Sequence, residues 1–247
     1  MIGESASSAE IDVLYRSFNE LMQKLKQADL ELAEAFEKEK EANLRALQAQ
    51  INPHFIYNTL NSVSCMALLH QENEISQVLG SLTKVIRYNL KKPDAIVHLE
   101  EELENIYSWC RIQECCYEQS IRFSYDIQVP ADQIKIPKLI IQPLIENAVV
   151  HGANFAGEDA RICLHIWMEG KCLYIVVWDN GTDVDTDRIN RLACGKGEVC
   201  SDSLGVRNVY ERIRLRYGSA GQMRFEQDEE HHTLVQIVIP AEMDQSL

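Results

Sequence analysis

The sequence lacks a run of about 18 apolar residues, the length that a membrane-spanning helix needs. It also lacks an excess of basic residues, because 24 Lys and Arg stand against 38 Asp and Glu, for a formal net charge of −14. A nucleic-acid partner needs a basic face for its phosphates, so we expect no nucleic-acid binding. A nucleotide needs only a local site and stays open as a ligand.

Cysteine is present, but without the spacing of a metal site. None of the eight cysteines forms a Cys-x-x-Cys pair, and no Cys/His spacing resembles a zinc site. Scattered thiols in a chain of this size fit a reducing cytosol. Cys163 and Cys172 flank a predicted hairpin and could face each other, but we expect them to be small core residues.

The N-terminal part carries a heptad pattern of apolar residues. From Leu14 to Ala49 they recur at steps of four and three, with Glu39 the only charged break. In surroundings rich in Glu, Lys and Gln this pattern indicates a coiled coil between chains. A single long helix packed on its own domain is the alternative. The 247 residues, 46% of them hydrophobic, allow one large domain or two modest ones.

The coil leads into residues 48–61, where a polar stripe of Asn52, His54, Asn58 and Asn61 interrupts an apolar pattern. His54 and Asn58 are four residues apart, so a helix places them on one face. Pro53 removes a backbone hydrogen bond, which predicts an irregular turn. On this stretch alone two interpretations stay open: a nucleophilic imidazole, and a histidine held at a helix–helix contact.

Two helices are predicted next, at 57–70 and 74–89, and they form a hairpin. Two copies of such a hairpin make a four-helix bundle. The break at 91–94 predicts a domain boundary. We therefore divide the chain into a coiled-coil helix (1–39), a dimerisation hairpin (40–92) and a second domain (93–247). A helix at 99–118 carries Glu100, Glu101 and Glu102 in its first turn, where the helix dipole favours anions.

The rest of the second domain alternates between the period of strands and the period of helices. The order of elements predicts an α+β fold, a two-layer sandwich of helices on a sheet. Its predicted strands are 121–129, 161–168, 172–179, 224–227 and 233–239. Its predicted helices are 137–150, with a bend at Pro143, and 204–217, ended by Gly218, with a loop at 182–203 between the second hairpin strand and the last helix.

Three polar clusters punctuate this domain. One lies in an apolar helix, one ends a hydrophobic strand with a carboxylate that can accept the exocyclic amine of a purine, and one opens a helix whose free amides can cradle phosphate. Each cluster alone is ordinary, but their order within one α+β domain indicates a nucleotide site. The clusters are Glu146, Asn147 and His151; Asp179, Asn180 and Gly181; and Gly205, Val206, Arg207 and Asn208.

Residues 121–240 resemble the ATP-binding domain shared by histidine kinases, gyrase, Hsp90 and MutL. Residues 44–240, through Gln-Ile-Asn-Pro-His-Phe and Gln-Pro-Leu-Ile-Glu-Asn-Ala-x-x-His-Gly, resemble the LytS/YesM type of sensor histidine kinase. Residues 10–22 resemble the second helix of a HAMP signalling module, which follows a transmembrane sensor in that family. The resemblance implies a soluble cytoplasmic portion of a bacterial cell-membrane protein whose sensor and membrane segments are not in this sequence.

The resemblance implies ATP-dependent autophosphorylation within a homodimer, with transfer to an aspartate on the receiver domain of a response regulator. His54 would be the phosphoacceptor, Asn58 would orient the imidazole or a hydrolytic water, and Glu146 would orient water or polarise the site. Nucleotide and metal roles fall on the three clusters. Asn147 would bind Mg²⁺, Asp179 the adenine amine and Gly181 the base through its backbone, while Gly205, Arg207, Asn208 and His151 would form the phosphate side.

Two positions depart from the family pattern: Asp183 replaces the second glycine after the strand, and Ser203 stands where a glycine is common. Phe55 follows the histidine where many histidine kinases have an acid, as the LytS/YesM pattern expects, so the resemblance assigns no base. Two alternatives therefore stay open: a catalytically weak or pseudo-kinase signalling scaffold of the same fold, and an ATPase or chaperone relative that would not need His54. The remaining histidines have no motif around them and are predicted to be surface or structural residues.

Overall fold

The computed structural model describes residues 53–90, 95–117, 121–151, 160–181, 204–230 and 232–243, together with positions 21, 22, 24, 26, 27, 186 and 190. The chain divides into two compact units, Met1–Phe55 and Ile56–Leu247. Most of the predicted coiled coil, the predicted boundary at 91–94 and the positions of Asp183 and Ser203 lie outside the described residues. Within the described ranges no helix has the length and apolarity that crossing a bilayer requires.

Helices α1 (Pro53–Leu69) and α2 (Asn73–Asn89) lie where the periodicity predicts a helical pair. The turn between them has Gln71 in the left-handed region, with φ of 64°. The hydroxyls of Ser64 and Ser76 join the two helices at 2.8 Å. Pro53 is the first described residue of α1, so the irregular turn predicted before it lies outside the described residues.

Strand β1 (Ile96–His98) leads into helix α3 (Leu99–Cys116), strand β2 (Ile121–Ile127), strand β3 (Ile134–Pro137) and helix α4 (Gln142–His151). The prediction of a helix from residue 137 was wrong at its start. Residues 134–137 alternate as a strand, and Leu139, with φ of 59°, cannot continue a right-handed helix. Strands β1, β3 and β8 (Glu242–Met243) form a small antiparallel sheet.

The main sheet contains strands β4 (Ala160–Glu169), β5 (Cys172–Asp179), β6 (Gln222–Gln227) and β7 (Thr233–Pro240), in the order β2-β4-β5-β7-β6. Strand β2 runs parallel to β4, and the other neighbours are antiparallel. Cys163 pairs with Trp178 and Cys172 pairs with Glu169, so the two cysteines do not face each other.

Alternate residues of the central strands enter the core. Leu164 pairs with Val177, which in turn pairs with Val235, and all three are buried. Helix α4 and helix α5 (Leu204–Tyr217) pack on this face of the sheet. The predicted two-layer α+β sandwich is therefore confirmed. Asp179 follows Leu173, Ile175 and Val177 in the same phase, so its carboxyl falls on the covered face, at the end of the strand.

Candidate functional site

The candidate site is centred on the end of strand β5. The side chain of Asp179 is buried, at 4% exposure, where an apolar residue would continue the pattern. Its Oδ1 accepts a hydrogen bond from the backbone N–H of Gly181 at 2.9 Å. In the described part of the chain its Oδ2 accepts none. This oxygen is therefore an acceptor that the hydrogen bonds of the described residues leave open to another donor.

The turn after β5 is fastened on both sides. The side-chain oxygen of Asn180 accepts the N–H of Arg161 at 2.7 Å, and the N–H of Asn180 donates to the Arg161 carbonyl at 3.2 Å. On the other side, the hydroxyl of Thr233 donates to the Gly181 carbonyl at 3.3 Å. The backbone beside Asp179 is thus fixed before any ligand arrives, which lowers the entropic cost of binding.

Burial raises the pKa of the Asp179 carboxyl to about 7 from its ordinary 3.8, while the Gly181 N–H and the charge of His232 oppose the rise. A second donor reaching Oδ2 would favour the ionised form and lower the pKa again. Ionising this carboxyl is costly when no donor reaches Oδ2, and less costly when Oδ2 accepts a hydrogen bond. The carboxyl is therefore suited to a ligand that brings an amine donor.

Helix α4 presents two of the predicted polar residues. Glu146 and Asn147 are both half-buried, and the amide nitrogen of Gln142 donates to Glu146 Oε1 at 2.6 Å. Burial raises the pKa of the Glu146 carboxyl, and the bond from Gln142 opposes the rise. His151 is the last residue of the helix. Among the described residues, no group of three or more His, Cys, Asp or Glu side chains could hold a metal ion.

Helix α5 begins beside α4. A Cβ added at Gly205 would lie 3.6 Å from the Cβ of Pro143, so the first turn of α5 touches the first turn of α4. The guanidinium of Arg207 pairs with Glu211 one turn on, at 2.8 Å, and Asn208 is exposed. Arg207 is therefore held on the surface of the helix in this state, and its pair with Glu211 must compete with any phosphate.

The elements that carry the three predicted clusters pack against one another in sequence: helix α4 packs against both β5 and α5. These three elements carry the nucleotide-binding residues predicted from the sequence except Gly181, which lies two residues after β5. Helix α5 starts next to α4, where its free backbone amides can face an anion. A carboxyl that accepts an amine, a carboxamide and a helix N-terminus together suit a purine nucleotide with its phosphates.

His54 and Asn58 lie in helix α1, one turn apart, and both are exposed. Between them Tyr57 is covered by Arg87, whose guanidinium carbon lies 5.6 Å from the ring centre. His54 belongs to the unit Met1–Phe55, and the nucleotide-site residues belong to the other unit. The four-residue spacing of His54 and Asn58, which predicts that they share one face, lies within helix α1.

Three residues that support the candidate site or the helix leading to it were not predicted from the sequence. Thr233 stands in phase with the buried Val235 and Ile237, so the alternation of β7 already placed it inside. Glu102 was grouped with Glu100 and Glu101 in the first turn of α3, yet its spacing from Leu99 puts it on the buried face of that helix. Gln142 was quoted only as part of a motif.

His232 has a structural role in the turn between β6 and β7. His232 Nδ1 lies 2.9 Å from Asp228 Oδ2, and Trp178 donates to the same oxygen at 3.1 Å. The rings of Trp178 and His232 meet edge to face, with centroids 5.1 Å apart. This agrees with the prediction of a structural histidine.

Known proteins similar to this chain are histidine kinases. A family model described as histidine kinase matches residues 42–121, which include His54. The sensor histidine kinase YesM of Bacillus subtilis (strain 168) is 33% identical over 234 residues, covering 94% of this chain and 39% of YesM. The sensor protein LytS of Enterococcus faecalis (strain ATCC 700802 / V583) is 28% identical over 211 residues, covering 83% of this chain and 35% of LytS. The catalytic domain of the histidine kinase ThkA aligns with a TM-score of 0.47 and 16% identity, over 62% of this chain and 100% of that chain.

The histidine motif, the α+β domain and the matched family model place the chain in the class of the histidine kinases. Within that class, the chain belongs to the LytS/YesM type of sensor histidine kinases. It spans 39% and 35% of the length of these two curated relatives.

Proposed function

We propose that this chain is the kinase portion of a two-component sensor, which uses ATP to phosphorylate His54 and passes the group to an aspartate of a response-regulator receiver domain. One observation carries the proposal: Asp179 ends a buried strand with one acceptor oxygen unused by the described residues, and this strand packs against α4, which in turn packs against α5. The family model that covers His54 supports the same function.

The nucleotide is held by residues with complementary chemistry. The exocyclic amine of adenine donates to Asp179 Oδ2, and Gly181 allows the base to lie against the backbone. The phosphates meet the first turn of α5 at Gly205, with Arg207, Asn208 and His151 supplying side-chain contacts. Asn147 would supply one oxygen ligand to Mg²⁺, an ion that prefers oxygen ligands. When bound, Mg²⁺ neutralises charge on the β- and γ-phosphates.

The transfer step uses the exposed imidazole of His54. A neutral imidazole is a competent nucleophile. Its unprotonated ring nitrogen forms a bond to the γ-phosphorus, the bond from that phosphorus to the bridging oxygen breaks, and ADP leaves with the electron pair. Asn58, one turn on, orients the ring, and Glu146 orients water at the nucleotide. Positioning and charge neutralisation supply most of the acceleration in such a transfer.

A homodimer is supported by the apolar surface of the hairpin. Helix α1 buries only Ala67 among its 17 residues. Large apolar side chains of α1 and α2 remain exposed, among them Val63, Met66, Leu69 and Ile75. A hairpin with such a surface pairs with a second copy into a four-helix bundle.

The proposal is tested by labelling the chain with ATP that carries a labelled γ-phosphate, in the presence of Mg²⁺. Acid-labile, base-stable label should appear on the unmodified chain and be lost in His54→Gln. His70→Gln is the matched control, because His70 is an exposed histidine at the other end of the same helix. His70→Gln should keep full labelling.

Other outcomes separate the alternatives. Equal label in His54→Gln and the unmodified chain would overturn the assignment of the phosphoacceptor. Failure of the unmodified chain to bind an ATP analogue in calorimetry would favour the signalling scaffold. Full ATP turnover by His54→Ala, without any phosphohistidine, would favour an ATPase.

A further inference from the structure

Residues 138–141, between β3 and α4, form a turn on which several elements converge. The backbone N–H of Lys138 donates to the Ala95 carbonyl at 3.0 Å, and its carbonyl accepts the guanidinium of Arg212 from α5. Leu139 adopts a left-handed φ of 59°, a conformation that a leucine takes only when its surroundings enforce it. The turn leads directly into α4, which carries Glu146 and Asn147.

The group that enforces this conformation is the carboxyl of Glu102, which is fully buried. Its Oε2 accepts the N–H of Leu139 at 2.8 Å, and its Oε1 accepts the N–H of Ile141 at 3.3 Å. Burial raises the pKa of Glu102, and its hydrogen-bond donors oppose the rise. One side chain of α3 thus fixes two amides of the turn before α4.

The same carboxyl also binds the end of the helical hairpin. The hydroxyl of Tyr88, in the last turn of α2, donates to Glu102 Oε2. The ammonium of Lys138, itself fully buried, lies 4.9 Å from the centre of the Tyr88 ring and 3.4 Å from the carbonyl oxygen of Asn89. The C-terminal end of α2 therefore touches the turn through a hydroxyl, an aromatic ring and a backbone carbonyl.

From the turn, hydrogen bonds continue along α4 to the candidate nucleotide site. The amide of Asn105, three residues after Glu102 on α3, donates to the side-chain oxygen of Gln142. The amide nitrogen of Gln142 donates to Glu146, the neighbour of Asn147. A shift of α3 or of the turn would therefore move the first residues of α4, because Asn105 and Gln142 are buried and a lost partner would leave a buried polar group unsatisfied.

We propose that Glu102 is a positioning residue that couples the end of the hairpin helix α2, through Tyr88, to the start of the nucleotide-site helix α4, so that nucleotide binding and the conformation of the hairpin end influence each other. This rests on the proposed nucleotide site. Coupling between two sites is reciprocal, so a nucleotide that is held by α4 must also stabilise the hydrogen bonds at the end of α2.

The test measures amide hydrogen exchange of residues 84–90 in the full chain, with and without a non-hydrolysable ATP analogue and Mg²⁺. In the unmodified chain the analogue should slow exchange of these amides by about threefold or more, and Tyr88→Phe should abolish this slowing while changing the analogue's Kd by no more than about the same factor. Tyr57→Phe also removes a hairpin hydroxyl, but one that is not among the hydrogen-bond donors to Glu102, so it should keep the slowing.

A second variant, Glu102→Gln, keeps the volume of the side chain but presents an amide NH₂ to donors, and it should also uncouple the two helices. Binding of the analogue with unchanged exchange at 84–90 would overturn the coupling and leave the proposed function standing. Persistence of the slowing in Tyr88→Phe would restrict the Tyr88–Glu102 pair to packing. Failure of the unmodified chain to bind the analogue would overturn the proposed function and this inference together.

Discussion

Two buried carboxyls, Glu102 and Asp179, differ in how the protein uses their oxygens. Glu102 is fully buried and accepts hydrogen bonds from the Tyr88 hydroxyl and from the amides of Leu139 and Ile141. Asp179 is nearly as buried, yet among the described residues it accepts a single hydrogen bond, from Gly181. Burial raises the pKa of both groups.

The difference separates a carboxyl that organises the fold from one that is reserved for a ligand. The donors around Glu102 offset the cost of its burial and are themselves left unsatisfied without it, so it contributes to stability. Asp179 lacks such compensation, so its ionised form costs stability until a donor binds. Sites kept ready for a ligand commonly carry such a cost.

The largest expected effect is on the pH dependence of stability, through Asp179. Its pKa in the folded chain, about 7, lies above the ordinary 3.8, so the folded state holds the proton more tightly between these values. The contribution of the protonated carboxyl to the free energy of unfolding is complete below about pH 4. It is lost as the pH rises through about 7, which lowers the free energy of unfolding by up to about 4 kcal/mol. Asp179→Asn should remove this slope, as measured by urea unfolding from pH 4.5 to 8.

Asp132→Asn, at an exposed position, should leave the slope intact.

Asp179→Asn should also weaken binding of an ATP analogue by about tenfold to a hundredfold, because a charge-assisted hydrogen bond to the adenine amine is lost. If Asp179→Asn is less stable than the unmodified chain at pH 8 and binds the analogue equally well, Asp179 is a structural carboxyl like Glu102.

The next effect concerns Glu102 itself. Glu102→Ala leaves the amides of Leu139 and Ile141 and the hydroxyl of Tyr88 without their acceptor, and it should lower the free energy of unfolding by about 3 kcal/mol. Glu104→Ala, on the exposed face of the same helix, should change it little. Chemical denaturation at pH 7 measures both. Equal effects of the two substitutions would show that the turn at 138–141 does not depend on the carboxyl.

A smaller effect is expected at Thr233, which anchors the turn beside Asp179. Thr233→Val removes the hydroxyl that donates to the Gly181 carbonyl and should cost about 1 kcal/mol of stability. It should also weaken the binding of an ATP analogue, because the backbone against which the base lies is less constrained. Thr83→Val, which removes a hydroxyl bonded within α2, serves as the control for binding. Equal loss of affinity in both variants would exclude a local role for Thr233.

Sequence periodicity predicted the parts of the fold in which one face is buried. Strands β4 and β5 were predicted as β-rich runs joined by a hairpin signal at 169–171, and β7 as the strand that closes the sheet. Strand β3 was missed because its four residues run into a helical pattern, and because its partners β1 and β8 are distant in sequence. Pairing between strands that are distant in sequence leaves no local periodicity from which the strands could be predicted.

The candidate site divides in the same way. Its motif residues were predicted because their types and spacing are unusual in an apolar helix and at a strand end. Glu102 was not, because three adjacent glutamates in a first turn resemble a solvated cap, and only the helical phase of Leu99, Leu103 and Ile106 distinguishes one of them. Two of its donors are backbone amides of the turn at 138–141, which have no signature in sequence.

The smallest effect on stability is expected at Arg207, whose partner in this state is a neighbour on the same exposed surface. Its ion pair with Glu211 is an i,i+4 pair in solvent, so Arg207→Ala should cost no more than about 0.5 kcal/mol. If the guanidinium leaves Glu211 to bind phosphate, the same substitution should weaken binding of an ATP analogue by about tenfold. Glu211→Ala breaks the same pair but leaves the guanidinium, so it should cost as little stability and no affinity. Unchanged affinity in both variants would assign Arg207 to the helix surface alone, whereas loss in Arg207→Ala only would place it with Asp179 among the groups held for the ligand.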